Sequence, residues 1–364
     1  MPNELQRFQL KADRYIFFAL FLGANISCSE PKFENQHHSI SSQVKTESVP
    51  AHSGLKAEDI AVIINSQDPL SIKIGEYYIK KRNIPPENVI RIGFSHESVN
   101  LQKLEFDEIK ANVDAHTPEY VQAYALTWAR PYRVGCMSIT TAFAAGFDKA
   151  FCASGCKPTK INSYFNSSSS RPYDDFGLRP TMALAAKDFE EAKKLIDRGV
   201  AADHSFPQGT AYLVKTNDKH RNTRAGFFDE AVRYLGNKIH ISYLQTEYIT
   251  GKNDILFYFT GRVQVPELQT NKFLPGAITD HLTSAGGQLT DSSQMSSLRW
   301  LEAGSTGSYG AVVEPCNYSG KFPNPAIVIS HYLQGESLIE AYWKSVEMPG
   351  QGIFIGEPLA SPFL

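Results

Sequence analysis

The chain has 364 residues, with 36 Lys+Arg against 38 Asp+Glu and a net charge of −2. That balance leaves no cationic footprint for nucleic acid, and 42% hydrophobic against 20% charged residues excludes a disordered chain. No apolar run reaches the ~18 residues that a spanning helix needs.

Residues 15–24 read YIFFALFLGA, a short apolar run preceded by Arg7, Lys11 and Arg14. This is the layout of a secretory signal. Cys28 follows the run where a bacterial lipoprotein carries its lipid, so residues 1–28 read as a signal or lipoprotein-type segment and Cys28 as the lipidation candidate. Conventional cleavage is the alternative. Residues 29–56 are polar, with little to bury, and predict a mobile linker. The expected location is exported, in the periplasm or anchored to the outer membrane through an N-terminal lipid.

From residue 57 onward strand and helix patterns alternate. IAVIIN at 60–65 is a continuous apolar run, the pattern of a fully buried strand. Residues 68–81 carry apolar side chains at helical spacing and stop before Pro85-Pro86. A strand at 89–92, a helix at 106–113 and a strand at 121–128 follow. This βαβαβ order predicts a mostly parallel sheet flanked by helices, because parallel neighbours need long crossovers.

Residues 135–180 break the rhythm and predict an insert carrying Cys136, Cys152 and Cys156. Export makes Cys152 a disulfide candidate, paired to Cys156 or to Cys136. Zinc would need a second close pair of ligands, and the sequence has none. Beyond the insert come a strand at 181–186, a helix at 188–201, strands at 211–215, 239–244 and 255–259, and a helix across 224–235. Segments 276–284 and 294–303, a strand at 309–314 and a helix at 337–345 complete the series, and AIVIS before His331 has a strand-like look. Residues 57–205 and 206–364 therefore read as two α/β halves.

Several runs resemble an uncharacterised family of exported bacterial proteins. They include NSQDPLS at 65–71, LTWARPYRV at 126–134, DHLTSAGG at 280–287, GSYGAVVEPCNYSGKFP at 307–323 and HYLQGESLIEAYWKS at 331–345. No activity comes with that likeness. More distantly, the order of elements is similar to the gingipain-type caspase-like cysteine peptidases. LRPTMALAAKDFEEAKKLI at 178–196 resembles their strand feeding a helix, YFTG at 258–261 their strand ending in His-Gly, and PGAITDHLTSAGG at 275–287 their nucleophile segment. The resemblance implies a caspase-like core with a cysteine-bearing insert. It does not carry the mechanism over, because Thr260 stands where the histidine would be and the 280–284 segment has no cysteine.

That layout would bring Thr260, the 280–284 loop and Glu314–Cys316 to one sheet edge, where open α/β folds bind ligands. Cys316 could be a nucleophile with His281 as its base, or Ser284 could pair with His281 and Asp280. The quieter alternatives are a disulfide or packed thiol at Cys316 and a turn or cap role for Ser284. Asp280 and Glu314 are two carboxylates that could contribute to a divalent-ion site, though no further ligands at a set spacing accompany them. Arg221 and Arg224, with Lys219 and His220, could hold an anion, as could Arg130 and Arg133 flanking Pro131. GSTGSYG at 304–310 lacks the Lys of a phosphate loop, and the zinc-type ligand set is incomplete, so no cofactor and no metal is expected. The sequence thus supports an envelope binding or scaffolding protein with a peptide or protein ligand, or else a hydrolase built around His281, Ser284 and Cys316.

Overall fold

The computed structural model describes residues 54–153 and 155–364. The expectations for the export segment, for Cys28 and for most of the linker lie outside the described residues. The linker's described end is docked: Leu55 is buried in the core and its N–H donates to Glu340 Oε2 at 2.8 Å.

β1 (Ile60–Asn65) is buried along its whole length. Its side chains alternate between two cores, Ile60, Val62 and Ile64 on one face and Ala61 and Ile63 on the other. That two-sided burial is why the run is continuously apolar. α1 (Pro69–Arg82) starts at the Asp68 cap, whose carboxylate accepts the Leu70 N–H at 2.9 Å, and ends on the left-handed Asn83. β2 (Val89–Ile92), β3 (Asn100–Leu101), α2 (Lys103–His116) and β4 (Ala123–Leu126) continue the alternation. Next come β5 (Arg133–Val134), β6 (Met137–Ser138), α3 (Ile139–Ala145), α4 (Pro172–Phe176), β7 (Thr181–Ala183) and α5 (Phe189–Ala202). The rest is β8 (Thr210–Lys215), α6 (Phe228–Leu235), β9 (His240–Gln245), β10 (Ile255–Gly261), β11 (Phe273–Leu282), α7 (Leu298–Ala303), β12 (Gly307–Ala311), α8 (Pro325–Leu333), α9 (Leu338–Ser345) and β13 (Gly352–Gly356).

Ten strands form one sheet in the order β2-β1-β4-β7-β13-β12-β11-β10-β8-β9, and β3, β5 and β6 form a small second sheet. Within the large sheet β12–β13 is the antiparallel pair, and all other neighbours among the described residues are parallel. The protein is therefore an α/β fold with a mostly parallel central sheet. Helices α1, α6, α8 and α9 cover one face, and α2 and the apolar side chains of α3 and α7 pack on the other.

Two expectations need correcting. The sheet is two parallel blocks running in opposite directions, joined at β12–β13, so the carboxyl ends of the blocks lie on opposite edges. The antiparallel strand is β13, contributed by the C-terminus to the first block, where it lies beside β7. Its flanking glycines hide the strand pattern in the sequence. The AIVIS run is helical, inside α8, which Asn324 caps and Pro325 opens.

The insert is held by two disulfides, Cys136–Cys152 and Cys156–Cys316. Cys152 takes one of its two expected partners. Two disulfides suit an oxidising, exported compartment. Among the described residues no helix is long and apolar enough to cross a membrane.

The bridges close loops of very different length, with sequence separations of 16 and 160. Chain entropy gives ~3 kcal/mol for a loop near fifteen residues and ~4.7 kcal/mol for one near a hundred. Denaturant unfolding of Cys156→Ser/Cys316→Ser should therefore show a larger loss than Cys136→Ser/Cys152→Ser.

Candidate functional site

The carboxyl ends of β8, β11 and β12 feed the 216–222, 283–297 and 312–324 loops to one edge of the second block. Between them lies a cleft of about 370 Å³, lined by His220, Arg221, Leu282, Thr283, Ser284, Glu314, Pro315, Cys316, Asn317 and, from the insert, Cys156. The Cys156–Cys316 bridge forms part of its wall, so the insert is pinned across the cleft. Cys316 takes a left-handed conformation, φ +54°, and its N–H donates to Glu314 Oε1 at 2.7 Å.

Arg221 is half-buried in this wall. Its Nε donates to Thr283 Oγ1 at 3.1 Å and its Nη1 to Asp218 Oδ2 at 2.9 Å. Thr283 in turn donates to Gln294 Oε1 at 2.6 Å. This chain of bonds fixes the guanidinium plane. The approach of the 216–222 loop depends on Gly261 at the end of β10, where a Cβ would lie 1.8 Å from the Arg221 carbonyl oxygen. The Asp218 carboxyl is held below its usual range, chiefly by the Arg221 side chain and by backbone N–H groups, against the cost of its partial burial.

Below the cleft the expected constellation comes apart. β11 extends through Leu282, so Asp280 and His281 are consecutive strand residues and face opposite sides of the sheet. Asp280 is fully buried against Arg224 Nη1, and Arg224 Nη2 donates to the Thr260 carbonyl oxygen at 2.9 Å. Burial pushes the Asp280 carboxyl up to about 6, against the pull of the guanidinium. His281 accepts the Trp300 Nε1–H on Nδ1 at 2.9 Å, and its Nε2 lies 3.1 Å from the Met295 carbonyl oxygen. Both bonds suit one neutral tautomer, protonated on Nε2. Burial lowers its pKa to about 3.

The structure thus brings Ser284, Glu314, Cys316 and Arg221 together at one cleft. It separates them from Asp280, His281, Thr260 and Arg224, which are buried under or beside it. The Ser284–His281–Asp280 arrangement does not form, because strand alternation divides its members. Cys316 is not a thiol nucleophile here, since its sulfur is bonded to Cys156. Arg224 is spent on Asp280 and cannot meet a ligand. Asp280 and Glu314 share no ion site: one is sealed against Arg224 and the other is exposed on the cleft. Thr260 is 1% exposed, and its hydroxyl has no hydrogen-bond partner among the described residues.

His331 lies in α8, hydrogen-bonded to Glu336 Oε1 at 2.9 Å and to Asn166 Oδ1 at 3.2 Å, away from the cleft. A residue not anticipated is Lys321, 2% exposed, with Nζ donating to the Pro315 carbonyl oxygen at 3.0 Å behind the cleft wall. Burial lowers its pKa to about 8. Nothing in GKFP marks that lysine as buried. No family model, curated protein or solved structure matches the chain.

Two outcomes follow. Arg224→Met leaves the Asp280 carboxylate buried without its partner and should cost about 3–5 kcal/mol in equilibrium unfolding, whereas Arg224→Met/Asp280→Leu should recover most of it. His281, with a folded pKa of about 3 against 6.5 unfolded, takes up its proton in the unfolded chain first. It therefore contributes stability that is present above pH 6.5 and lost as pH falls toward 3. Asp280, raised to about 6 from 3.8, has the opposite slope between those values. Wild type minus His281→Gln isolates the imidazole: that stability difference should shrink by about 1.4 kcal/mol per pH unit between pH 6 and 4.

Proposed function

We propose that this is a binding protein of the bacterial envelope, with a caspase-like core that holds a peptide segment without cleaving it. The observation that carries the reading is the division of the site. A rigid arginine, a serine hydroxyl, the His220 imidazole and a carboxylate line an open cleft, with no hydrogen bond between Ser284 and His220 among the described residues, while the His281 imidazole below has both nitrogens occupied and the cysteine is oxidised. Such a cleft positions hydrogen-bonding groups but holds no activated nucleophile of the peptidase type.

Arg221 on the β8 side and Glu314 on the β12 side give the cleft two charged walls. They suit a peptide whose carboxylate meets the guanidinium and whose amide or ammonium donors meet Glu314. The run of parallel strands β8, β10, β11 and β12, with its loops gathered at one edge, supports a gingipain-type core. The disulfides support export, with anchoring through Cys28 the finer proposal.

Fluorescein-labelled random octapeptides passed over the immobilised protein, with retained peptides identified by mass spectrometry, test this. The expected result is retention of carboxylate-rich peptides unchanged in mass, with affinity at least ten-fold weaker for Arg221→Gln. Cleaved peptides, with cleavage lost in Ser284→Ala or His220→Ala, would establish a hydrolase instead. Retention indifferent to Arg221→Gln and Glu314→Gln would remove the cleft from the account.

A further inference from the structure

The opposite orientation of the two blocks leaves the first block with a carboxyl edge of its own. In its order β2-β1-β4-β7 the chain leaves β1 to one side for β2 and crosses to the other for β4, which makes β1/β4 a topological switch point. Loops diverge there and leave a crevice, the usual place for a ligand in open α/β sheets. A cavity of about 350 Å³ occupies that crevice. Asp68 and Leu70 follow β1, Ala129 and Arg130 follow β4, and Ala186 and Lys187 follow β7.

The fourth wall comes from the other block. Leu289, Thr290, Leu298 and Arg299, from the segment between β11 and β12, close over the crevice. Tyr132, just past Arg130, donates to Asp291 Oδ1 at 2.8 Å and ties that segment down. Part of the lining is apolar, since Leu289, Leu298 and Ala186 are buried core residues that still border the cavity.

The charged groups around it are unequally committed. Asp68 caps α1 by accepting the Leu70 N–H. Arg299 donates to Glu302 at 2.7 Å, and the same carboxylate stands 4.0 Å from Lys187. Arg130 is different. Its Nε donates to the His96 carbonyl oxygen at 2.8 Å, which orients the guanidinium, and among the described residues it makes no ion pair. An oriented guanidinium with its Nη groups uncommitted is a bidentate receptor for a carboxylate or a phosphate. Lys187 adds a second, exposed cation at the rim.

We infer that this crevice is a second binding site, for a small organic anion: a carboxylate or phosphate held by Arg130 and Lys187 on an apolar body seated against Leu289 and Leu298. The site lies on the opposite edge of the sheet from the peptide cleft and stands or falls independently of it.

Isothermal titration calorimetry on the oxidised protein tests this with three probes: benzoate, adenosine 5′-monophosphate and inorganic phosphate. Saturable binding of benzoate or of the nucleotide is expected. Inorganic phosphate, which lacks an apolar body, should bind at least ten-fold more weakly. Arg130→Gln should weaken the organic probe at least ten-fold, and the exposed Lys187→Gln by a smaller factor, while Arg221→Gln should leave it unchanged. Should Arg130→Gln fail to fold, Lys187→Gln and a bulky Ala129→Phe block carry the test, and both must weaken binding. No saturable binding of either organic probe at millimolar concentration overturns the proposal. So does binding insensitive to these variants, or binding weakened by Arg221→Gln.

Discussion

The antiparallel seam between β12 and β13 is the constraint on which the rest depends. Five residue pairs, from Gly307–Gly356 to Ala311–Gly352, join two parallel blocks that would otherwise each end in an open edge. The seam lies mid-sheet, buried on both faces, and its packing requires glycine. At Gly352 a Cβ would lie 1.6 Å from the Tyr309 hydroxyl, which itself donates to the Lys321 carbonyl oxygen at 2.7 Å. Tyr309 stacks edge-on against Phe354 and Phe322, so one aromatic ring fills the space the glycine leaves.

Because the seam is antiparallel, the molecule has two carboxyl edges. One carries the cleft between Arg221 and Glu314, and the other carries the crevice beside Arg130. Each edge is completed by the opposite half. The insert from the first half reaches the cleft through Cys156, and the 283–297 segment of the second half reaches the crevice through Leu289 and Asp291. The disulfide and the Tyr132–Asp291 hydrogen bond hold these exchanged segments in place.

Buried charge is the second organising element. Arg224 joins the loop after β8 to the ends of β10 and β11 through Asp280 and the Thr260 carbonyl oxygen. Under α8 and α9, Glu336 accepts from Lys344 at 2.8 Å and meets His331 at 2.9 Å, and Glu340 accepts the Leu55 N–H, which docks the described end of the linker. Such pairs contribute little net stability, since desolvation offsets their attraction, but breaking one leaves a charge without a partner. Three residues that looked like chemistry in the sequence, Asp280, His281 and Arg224, belong to this class or are packed beside it.

Local physics made much of the fold legible from the sequence alone. β1 and β2 are read to the residue, because a strand buried on both faces must be continuously apolar. α1 and α5 are read to within a residue at either end, because Asp68, Asn83 and Asp188 mark where the backbone hydrogen bonds of a helix run out. The cysteines of the insert were legible as disulfides, and one of the two partners foreseen for Cys152 is the one it takes. Tertiary structure alone decided the rest. In GIFIG the strand-forming Ile-Phe-Ile is too short and too closely flanked by glycine to stand out, and the Tyr309 ring facing Gly352 explains why glycine stands there. The face to which Asp280 and His281 turn depends on how far β11 extends, a long-range pairing that no local spacing encodes. Whether Cys316 is a nucleophile or a bridge depends on a partner 160 residues away. The antiparallel pairing of β12 with β13 means that the two blocks run in opposite directions, and this decides which loops share an edge, because parallel strands gather their carboxyl ends on one side.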